Sequence, residues 1–216
     1  MLLGASCLKG FRADATDREV GSVRDVLFDD GWTVRYIAID TAGRIPRPHL
    51  LVPTAWALRP DGESKRLALC VESDRLAGCL EPARRRPEVI GLAQRLIQAD
   101  KPPRAPDVPE QQLRSAEDVS GYLICALDGE SGRLCDVLIN DRWQIEYLIV
   151  KLRPLLPGGM VIVERGWAVS VDPAERTLGI ALPAGAIQAA PVYSGELPDE
   201  QAVTIRRYYA AWRAAA

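Results

Sequence analysis

Alternating apolar and polar side chains divide the chain into short β-strands. Residues 20–28 are rich in β-branched and apolar side chains, a composition typical of a strand. Asp29, Asp30 and Gly31 then provide a turn. Residues 33–40 alternate again, with apolar side chains on both faces. The pattern therefore predicts a hairpin that is buried more deeply than a two-faced surface sheet.

Further short strands follow this hairpin. Residues 43–48 contain two prolines and must form a loop, because proline cannot donate to a strand ladder. Next come a strand at 50–52, a half-buried segment at 56–58, a turn at 61–63 and an alternating stretch from 67 to 71. We predict a meander of five or six strands, and closure of such a sheet into a small barrel would remove its exposed edges.

The hairpin sequence occurs twice. Residues 17–36 read DREVGSVRDVLFDDGWTVRY and residues 128–147 read DGESGRLCDVLINDRWQIEY. Nine of the twenty aligned positions are identical at a constant offset of 111 residues, whereas average composition would give about one or two. The same offset relates Trp56 to Trp167 and Gly10 to Gly121. The chain therefore carries a duplicated unit of roughly seventy residues.

Two copies and two helical segments account for the whole chain. We predict a first domain at 1–82, a proline-rich linker at 83–112, a second domain at 113–193 and a helical tail at 194–216. The linker contains one helical stretch, whose apolar residues share a face at spacings of three and four: Val89, Leu92, Ala93, Leu96 and Ile97. Pro87 precedes this stretch and Pro102 follows it. The tail sequence predicts a helix over residues 199–212, because acidic residues occupy its first turn and arginines lie towards its end.

The shared pattern, D-x-E-x-G-x-x-x-D-V-L-x-x-D-x-W-x-[VI]-x-Y, resembles the PRC-barrel family. That family is named for the cytoplasmic domain of the photosynthetic reaction-centre H subunit, and it includes a domain of a bacterial ribosome-maturation factor. The resemblance covers residues 8–82 and 113–193, and Arg207-Tyr208-Tyr209 is similar to the tyrosine-rich tail of tandem members. It implies two small antiparallel β-barrels that dock on partners, with no catalytic residue. The second copy departs from the family form, with Ile162-Val163-Glu164 where the first has Leu51-Val52-Pro53.

Composition and charge narrow the classes of partner. The net charge is −2 and the sequence pI is about 5.6, so no broad positive field attracts nucleic acid or anionic lipid. We expect no transmembrane segment, because no apolar run reaches about eighteen residues. The five cysteines form no C-x-x-C pair and differ between the copies, which favours free thiols. We predict a cytoplasmic protein, with peripheral attachment to a membrane left open.

Aromatic residues are the candidate partner-binding groups. They are the repeated tryptophans and the aromatic side chains of the tail: Trp32, Trp56, Trp143, Trp167, Tyr208, Tyr209 and Trp212. The repeated tryptophans fit either the barrel core or an exposed anchor, since tryptophan and tyrosine are common both in cores and at interface hot spots. The tail aromatics fit either a cover over the other barrel or a homodimer contact.

Polar residues offer little chemistry at recognised spacings. Asp25 and Asp136 are expected to accept hydrogen bonds from loop amides, and a catalytic dyad would require them to converge. His49, the only histidine, has no metal-ligand partner at suitable spacing. The turn carboxylates supply too few oxygens for a hard cation, and the arginines at 84–86 read as a solvated face. We predict no cofactor, no metal and no enzymatic activity.

These observations favour a non-enzymatic interaction or assembly module. The resemblance implies docking on a protein, including a membrane-associated complex of the reaction-centre H type. Two alternatives remain at this point: a ribosome- or RNA-associated maturation factor, and an enzyme with a cleft between the barrels. The acidic balance weighs against the first alternative.

Overall fold

The computed structural model describes residues 2–44, 49–76, 79, 113–152, 159–195 and 197–215. Its contacts separate two compact units. We call Ala5–Ala116 the N-unit, and we call Glu117–Ala216 together with Met1–Gly4 the C-unit. Most of the predicted linker, including its helical stretch, lies outside the described residues, as does most of the predicted loop at 43–48.

The N-unit is built on one sheet. In chain order its elements are α1 (Ala5–Leu8), β2 (Arg12–Asp14), β3 (Glu19–Phe28), β4 (Val34–Asp40), β5 (His49–Pro53), a 3₁₀ turn (Thr54–Trp56), β6 (Arg66–Ala68), α2 (Ser73–Leu76) and β7 (Arg114–Ser115). The hydrogen-bonded order is β5-β4-β3-β2-β6, and β7 pairs with β3. All pairs are antiparallel except β2 with β6.

The C-unit repeats this plan and extends it. Its elements are β1 (Leu3–Gly4), α3 (Ala116–Val119, beginning at the unit boundary), β8 (Leu123–Ala126), β9 (Gly129–Ile139), β10 (Ile145–Leu152), β11 (Met160–Glu164), a 3₁₀ turn (Arg165–Trp167), β12 (Ala168–Asp172), β13 (Thr177–Ile180), α4 (Ala184–Gln188), β14 (Val192–Tyr193) and α5 (Asp199–Ala215). The strand order is β12-β13-β8-β9-β10-β11-β14, with β1 paired to β9.

The central hairpins supply most of the core. In the N-unit, β3 and β4 bury aliphatic side chains on the sheet, including Val20, Val26, Ile37 and Ile39. A break in register between Val23 and Asp25 interrupts simple alternation along β3. Such bulges bend and twist a strand, which explains why apolar side chains from both faces of the pattern can be buried. Strand β3 pairs with β4, and β9 pairs with β10, both in antiparallel orientation. The hairpin prediction is therefore confirmed for both copies.

One glycine in each unit allows two strands to approach closely. A Cβ atom on Gly21 would lie 2.1 Å from the carbonyl oxygen of Asp40, and one on Gly132 would lie 2.3 Å from that of Lys151. No side chain fits such a gap. The identity of this glycine in both copies therefore follows from packing of β3 on β4 and of β9 on β10.

A repeated aspartate caps the short helix at the end of each meander. Asp17 accepts hydrogen bonds from the Ser73 amide at 2.8 Å and from its hydroxyl at 2.6 Å. Asp128 accepts one from the Ala184 amide at 2.6 Å. Because the first amides of a helix lack partners within it, these bonds tie α2 and α4 to the start of the repeat. The two Ser73 bonds also lower the pKa of Asp17.

The fold is mainly β with two sheets, as the sequence predicts. Within the described residues the strand order is open in both sheets, because no pairing joins the first strand of the order to the last. The tail forms the 17-residue helix α5. The half-buried segment expected at 56–58 begins within a 3₁₀ turn, and Ala57 makes a single bridge to Leu69.

The first strand of each repeat copy pairs within the unit formed by the other copy. Leu3–Gly4 pairs with β9 in the C-unit, while Arg114–Ser115 pairs with β3 in the N-unit. The compact units therefore begin at Ala5 and Glu117. Repeat boundaries and unit boundaries are distinct in this chain.

Candidate interaction surface

The repeated tryptophan of each hairpin has a left-handed backbone. Trp32 has φ 60° and Trp143 has φ 61°, a region that is costly for a bulky L-residue. The Trp32 amide donates to the Asp29 carbonyl at 2.8 Å, and the Trp143 amide donates to the Asn140 carbonyl at 3.0 Å. Both turns thus place a large side chain where hairpins usually place glycine. The strain is offset by packing of the ring, and this packing differs between the units.

Trp32 is a core residue, whereas Trp143 is half-buried. The Trp32 ring stacks on Phe28 with a centroid distance of 5.2 Å and is 6% exposed. The residue that corresponds to Phe28 in the C-unit is Ile139, so the same stacked pair cannot form. Of these two candidates, only Trp143 has a side chain with appreciable accessible surface.

The residues beneath the two turns differ in charge. In the N-unit, Asp29 is buried and accepts a hydrogen bond from Nε of Arg35 at 2.6 Å. In the C-unit, Nδ2 of Asn140 donates to the Glu146 carboxylate at 2.7 Å. One turn therefore presents a cation paired with a buried anion, and the other presents a carboxylate bonded to a neutral amide. A partner that discriminates by charge would distinguish the two surfaces.

The second pair of tryptophans lies on the 3₁₀ turns. Trp56 is buried, with 8% of its surface exposed, whereas Trp167 is half-buried. Nε1 of Trp167 is a buried atom with no hydrogen-bond partner in the described part of the chain. The Trp167 ring lies 6.4 Å from that of Tyr209. Helix α5 therefore contributes to the surroundings of Trp167.

Two tail tyrosines anchor α5 to the C-unit. The Tyr209 side chain is fully buried and its hydroxyl donates to the Ile162 carbonyl at 2.6 Å. Burial raises the pKa of this hydroxyl. Tyr208 packs edge-on against Tyr209 and donates to the Ala186 carbonyl at 2.5 Å. These contacts give the tyrosines an intramolecular role in the C-unit.

The remaining candidate of the tail is Trp212, which is half-buried. One turn of helix separates it from Tyr208, and the neighbouring Arg213 forms an ion pair with Glu164 of β11. Of the seven aromatic candidates, the structure gathers Trp167, Tyr208 and Tyr209 into one cluster.

An exposed apolar position that recurs in both units was missed from the sequence. Leu58 is 55% exposed and Val169 is 67% exposed, and both lie two residues after the tryptophan of the 3₁₀ turn. Val169 belongs to β12, which is an edge strand. The Leu58 amide donates to the Ala68 carbonyl of β6, the last strand of its sheet order. The offset of 111 residues relates these positions and could have identified them as a pair. Strand alternation alone does not predict that either position is exposed.

The aspartates and the histidine have local roles. Asp136 accepts a hydrogen bond from the Val137 amide at 2.8 Å, and Asp25 accepts one from the Val26 amide at the same distance. Each carboxylate therefore bonds the amide of the next residue in its own strand, and the two aspartates belong to different units. His49 lies on β5 opposite Asp40. The described residues hold no group of three His, Cys, Asp or Glu side chains placed to bind a metal. The arginines at 84–86 lie outside those residues.

Comparison with known proteins does not assign this chain to a family. No protein-family model and no curated protein matches the chain. Among the helices in the described residues, none is both long enough and apolar enough to cross a bilayer.

Proposed function

We propose that this chain is a non-enzymatic docking protein with two PRC-type units. The sequence pattern of both hairpins carries the family assignment. Pairing of β2 with β6, and of β8 with β13, brings a late strand back beside an early one in each sheet, as a closed or nearly closed ribbon requires. An experimentally determined structure in which the sheet edges remain far apart would remove the barrel from the proposal.

The observation that carries the docking role is the repeated exposure of Leu58 and Val169. Scattered single apolar residues on a surface need no explanation. Here, however, the same edge position exposes a large aliphatic side chain in both units. Val169 also follows the half-buried Trp167, and tryptophan is one of the residue types enriched at interface hot spots. We define Leu58, Trp167 and Val169 as the docking residues.

The partner is proposed to be a protein, because an apolar edge segment fits a protein surface better than a nucleic acid. Exposed edge strands also offer main-chain groups that an extended segment can pair with. Docking at a membrane-associated complex is the case that the reaction-centre H resemblance implies. We therefore expect the partner among proteins recovered from detergent-solubilised membranes as well as in the soluble fraction.

The test compares substitutions at exposed apolar positions of matched character. Proteins that co-purify with the native full-length chain are first identified, and the binding of each purified protein is then measured. We expect the Leu58→Asp and Val169→Asp variants each to raise the dissociation constant at least about tenfold, since a buried charge at an interface centre is costly. Leu127→Asp is the control, because Leu127 is 72% exposed and its repeat counterpart is Thr16.

Two outcomes would contradict the proposal. Equal losses of partner affinity in the Leu127→Asp control and in both docking variants would mean that positions 58 and 169 have no specific role in binding. Recovery of ribosomal particles that dissociate at moderate salt, with binding unaffected by either docking variant, would favour the ribosome-associated alternative.

A further inference from the structure

The exchange of first strands separates each strand from the unit that it leads into. Ser115 pairs within the N-unit, and Glu117, two residues later, belongs to the C-unit. Likewise Gly4 pairs within the C-unit, and Ala5 begins the N-unit. A segment that is held by one compact unit and is covalently continuous with another has the connectivity of a domain-swapped element.

The exchange has the same register in both directions. Arg114 pairs with Phe28 and Ser115 with Leu27. The positions 111 residues away show the corresponding pairs, Leu3 with Ile139 and Gly4 with Leu138. The two repeats therefore use the same edge of the same strand to receive a segment from the other copy. This edge holds an extended two-residue segment in both units, although the two segments differ in sequence.

The site on the N-unit is the more specific of the two, because side chains hold its segment. The Arg114 side chain is 14% exposed and forms an ion pair with Asp30. The Ser115 hydroxyl donates to the Asp25 carboxylate. We define Asp25, Leu27, Phe28 and Asp30 as the acceptor site. The corresponding segment of the C-unit, Leu3–Gly4, has no side chain that could form either polar contact.

We propose that the acceptor site also binds the Arg114–Ser115 segment of a second copy of this chain, which produces a strand-exchanged dimer. Every contact made within one chain can be made equally between two chains, so the balance is set by effective concentration. Only two residue pairs must open and re-form in each N-unit. The dimer fraction should therefore rise with protein concentration and respond to the Arg114–Asp30 pair.

Charge exchange between two full-length variants tests this directly. Asp30→Arg and Arg114→Asp each place like charges together in the acceptor site, whether the segment is supplied by the same chain or by an identical one. A mixture of the two variants can form a dimer in which both acceptor sites hold opposite charges. One of these sites contains the two substituted residues, and the other contains the original Asp30 and Arg114. We expect the mixture to contain roughly tenfold more dimer than either variant alone, measured by light scattering as twice the 23.7 kDa chain mass.

The double variant, with both substitutions in one chain, is the matched control. It restores opposite charges within each chain and should behave like the unmodified protein. A mixture whose mass profile equals the average of its two components would overturn the proposal. Circular dichroism of each variant establishes that it is folded before mixing.

A second measurement covers the case in which a charge variant fails to fold. One population carries Leu27→Cys and the other carries Ser115→Cys, which are paired positions on adjacent strands and within the Cα separation that a disulfide spans. Under mild oxidation we expect a disulfide between chains at these two positions, identified by mass spectrometry of the linked peptides. Leu58→Cys in place of Leu27→Cys is the control. Absence of the 27–115 link at millimolar protein concentration would also overturn the proposal.

Discussion

The N-unit and the C-unit hold the same hairpin turn with different chemistry. Asp29 accepts hydrogen bonds from the Thr33 amide and from Arg35, whereas Asn140 accepts from the Gln144 amide and donates to a carboxylate. What the two residues share is a side-chain oxygen that bonds the amide four positions later. The turn therefore requires a side-chain oxygen that accepts this hydrogen bond. The charge of the residue at this position, and of its side-chain partner, can differ between the units.

The same contrast applies to the packing around the turns. The N-unit buries its turn tryptophan, and the C-unit leaves part of it accessible. Main-chain geometry has been retained in both copies, while the side-chain environment has diverged. Substitutions made at equivalent positions of the two units separate these two contributions.

Gly21→Ala should lower the free energy of unfolding by at least about 3 kcal/mol, and Gly132→Ala should act similarly. The added Cβ atom would overlap a main-chain carbonyl oxygen in both units, so a strand must move. Gly166→Ala is the control, because its Cβ would meet no atom within 4 Å. Urea unfolding followed by circular dichroism measures the change. A loss below about 1 kcal/mol at both positions would mean that the strands separate easily.

Replacing the turn tryptophans by glycine should affect the two units unequally. Glycine relieves about 1 kcal/mol of left-handed strain at either position. Loss of the buried Trp32 ring and its stack on Phe28 costs about 3–5 kcal/mol, for a net loss of about 3 kcal/mol. Trp143→Gly should change stability by no more than about 1 kcal/mol. Equal losses in the two variants, measured by urea unfolding, would indicate that the half-buried ring of Trp143 makes comparable contacts.

Ser131 offers a stabilising substitution. Its hydroxyl is fully buried and has no hydrogen-bond partner within the described residues, and its counterpart in the N-unit is Val20. Ser131→Val should therefore raise the free energy of unfolding by about 1 kcal/mol, because a buried hydroxyl is replaced by methyl groups. The reverse change, Val20→Ser, should be destabilising. Thermal unfolding measures both, and destabilisation by Ser131→Val would show that the hydroxyl has a role.

The helix caps should differ in their response to acid. The Ser73 hydrogen bonds lower the pKa of Asp17 in the folded chain, so folding favours its ionised form. This contribution is complete above the ordinary value of 3.8 and is lost as the pH falls through the lower folded-state pKa. Ser73→Ala removes one of the two bonds, as alanine does naturally at position 184. The loss of stability between about pH 5 and about pH 2 should therefore be smaller in this variant than in the unmodified chain, as measured by urea unfolding across that range.

Sequence reasoning recovers the parts of this fold that depend on local chemistry. The hairpins follow from alternation and from a turn rich in aspartate, and the helix α5 follows from its charge order and apolar spacing. Main-chain bonding by Asp25 and Asp136 follows from the cost of an unpaired carboxylate among apolar neighbours. These inferences need only residues that are close together in the chain.

The exchanged strands and the tryptophan environments could not be obtained in this way. Leu3 and Arg114 occupy the same place in the repeat, so pairing with either copy satisfies the same pattern. Only the three-dimensional connection decides which strand receives them. Similarly, Trp32 and Trp143 occupy equivalent positions of the repeat, so the pattern does not distinguish the buried tryptophan from the half-buried one. The left-handed backbone of both tryptophans goes against residue preference, and it was not expected.

The reciprocal strands also set the order in which the chain can fold. Leu3 cannot pair until Ile139 has been synthesised, and β3 cannot pair with Arg114 until that residue has been synthesised. Contacts between residues so far apart are slow to form, because a long loop must close before any bond is gained. We therefore expect the pairings of Leu3 and Arg114 to form after β3 has paired with β4, so completion of each sheet depends on a segment from the other repeat copy.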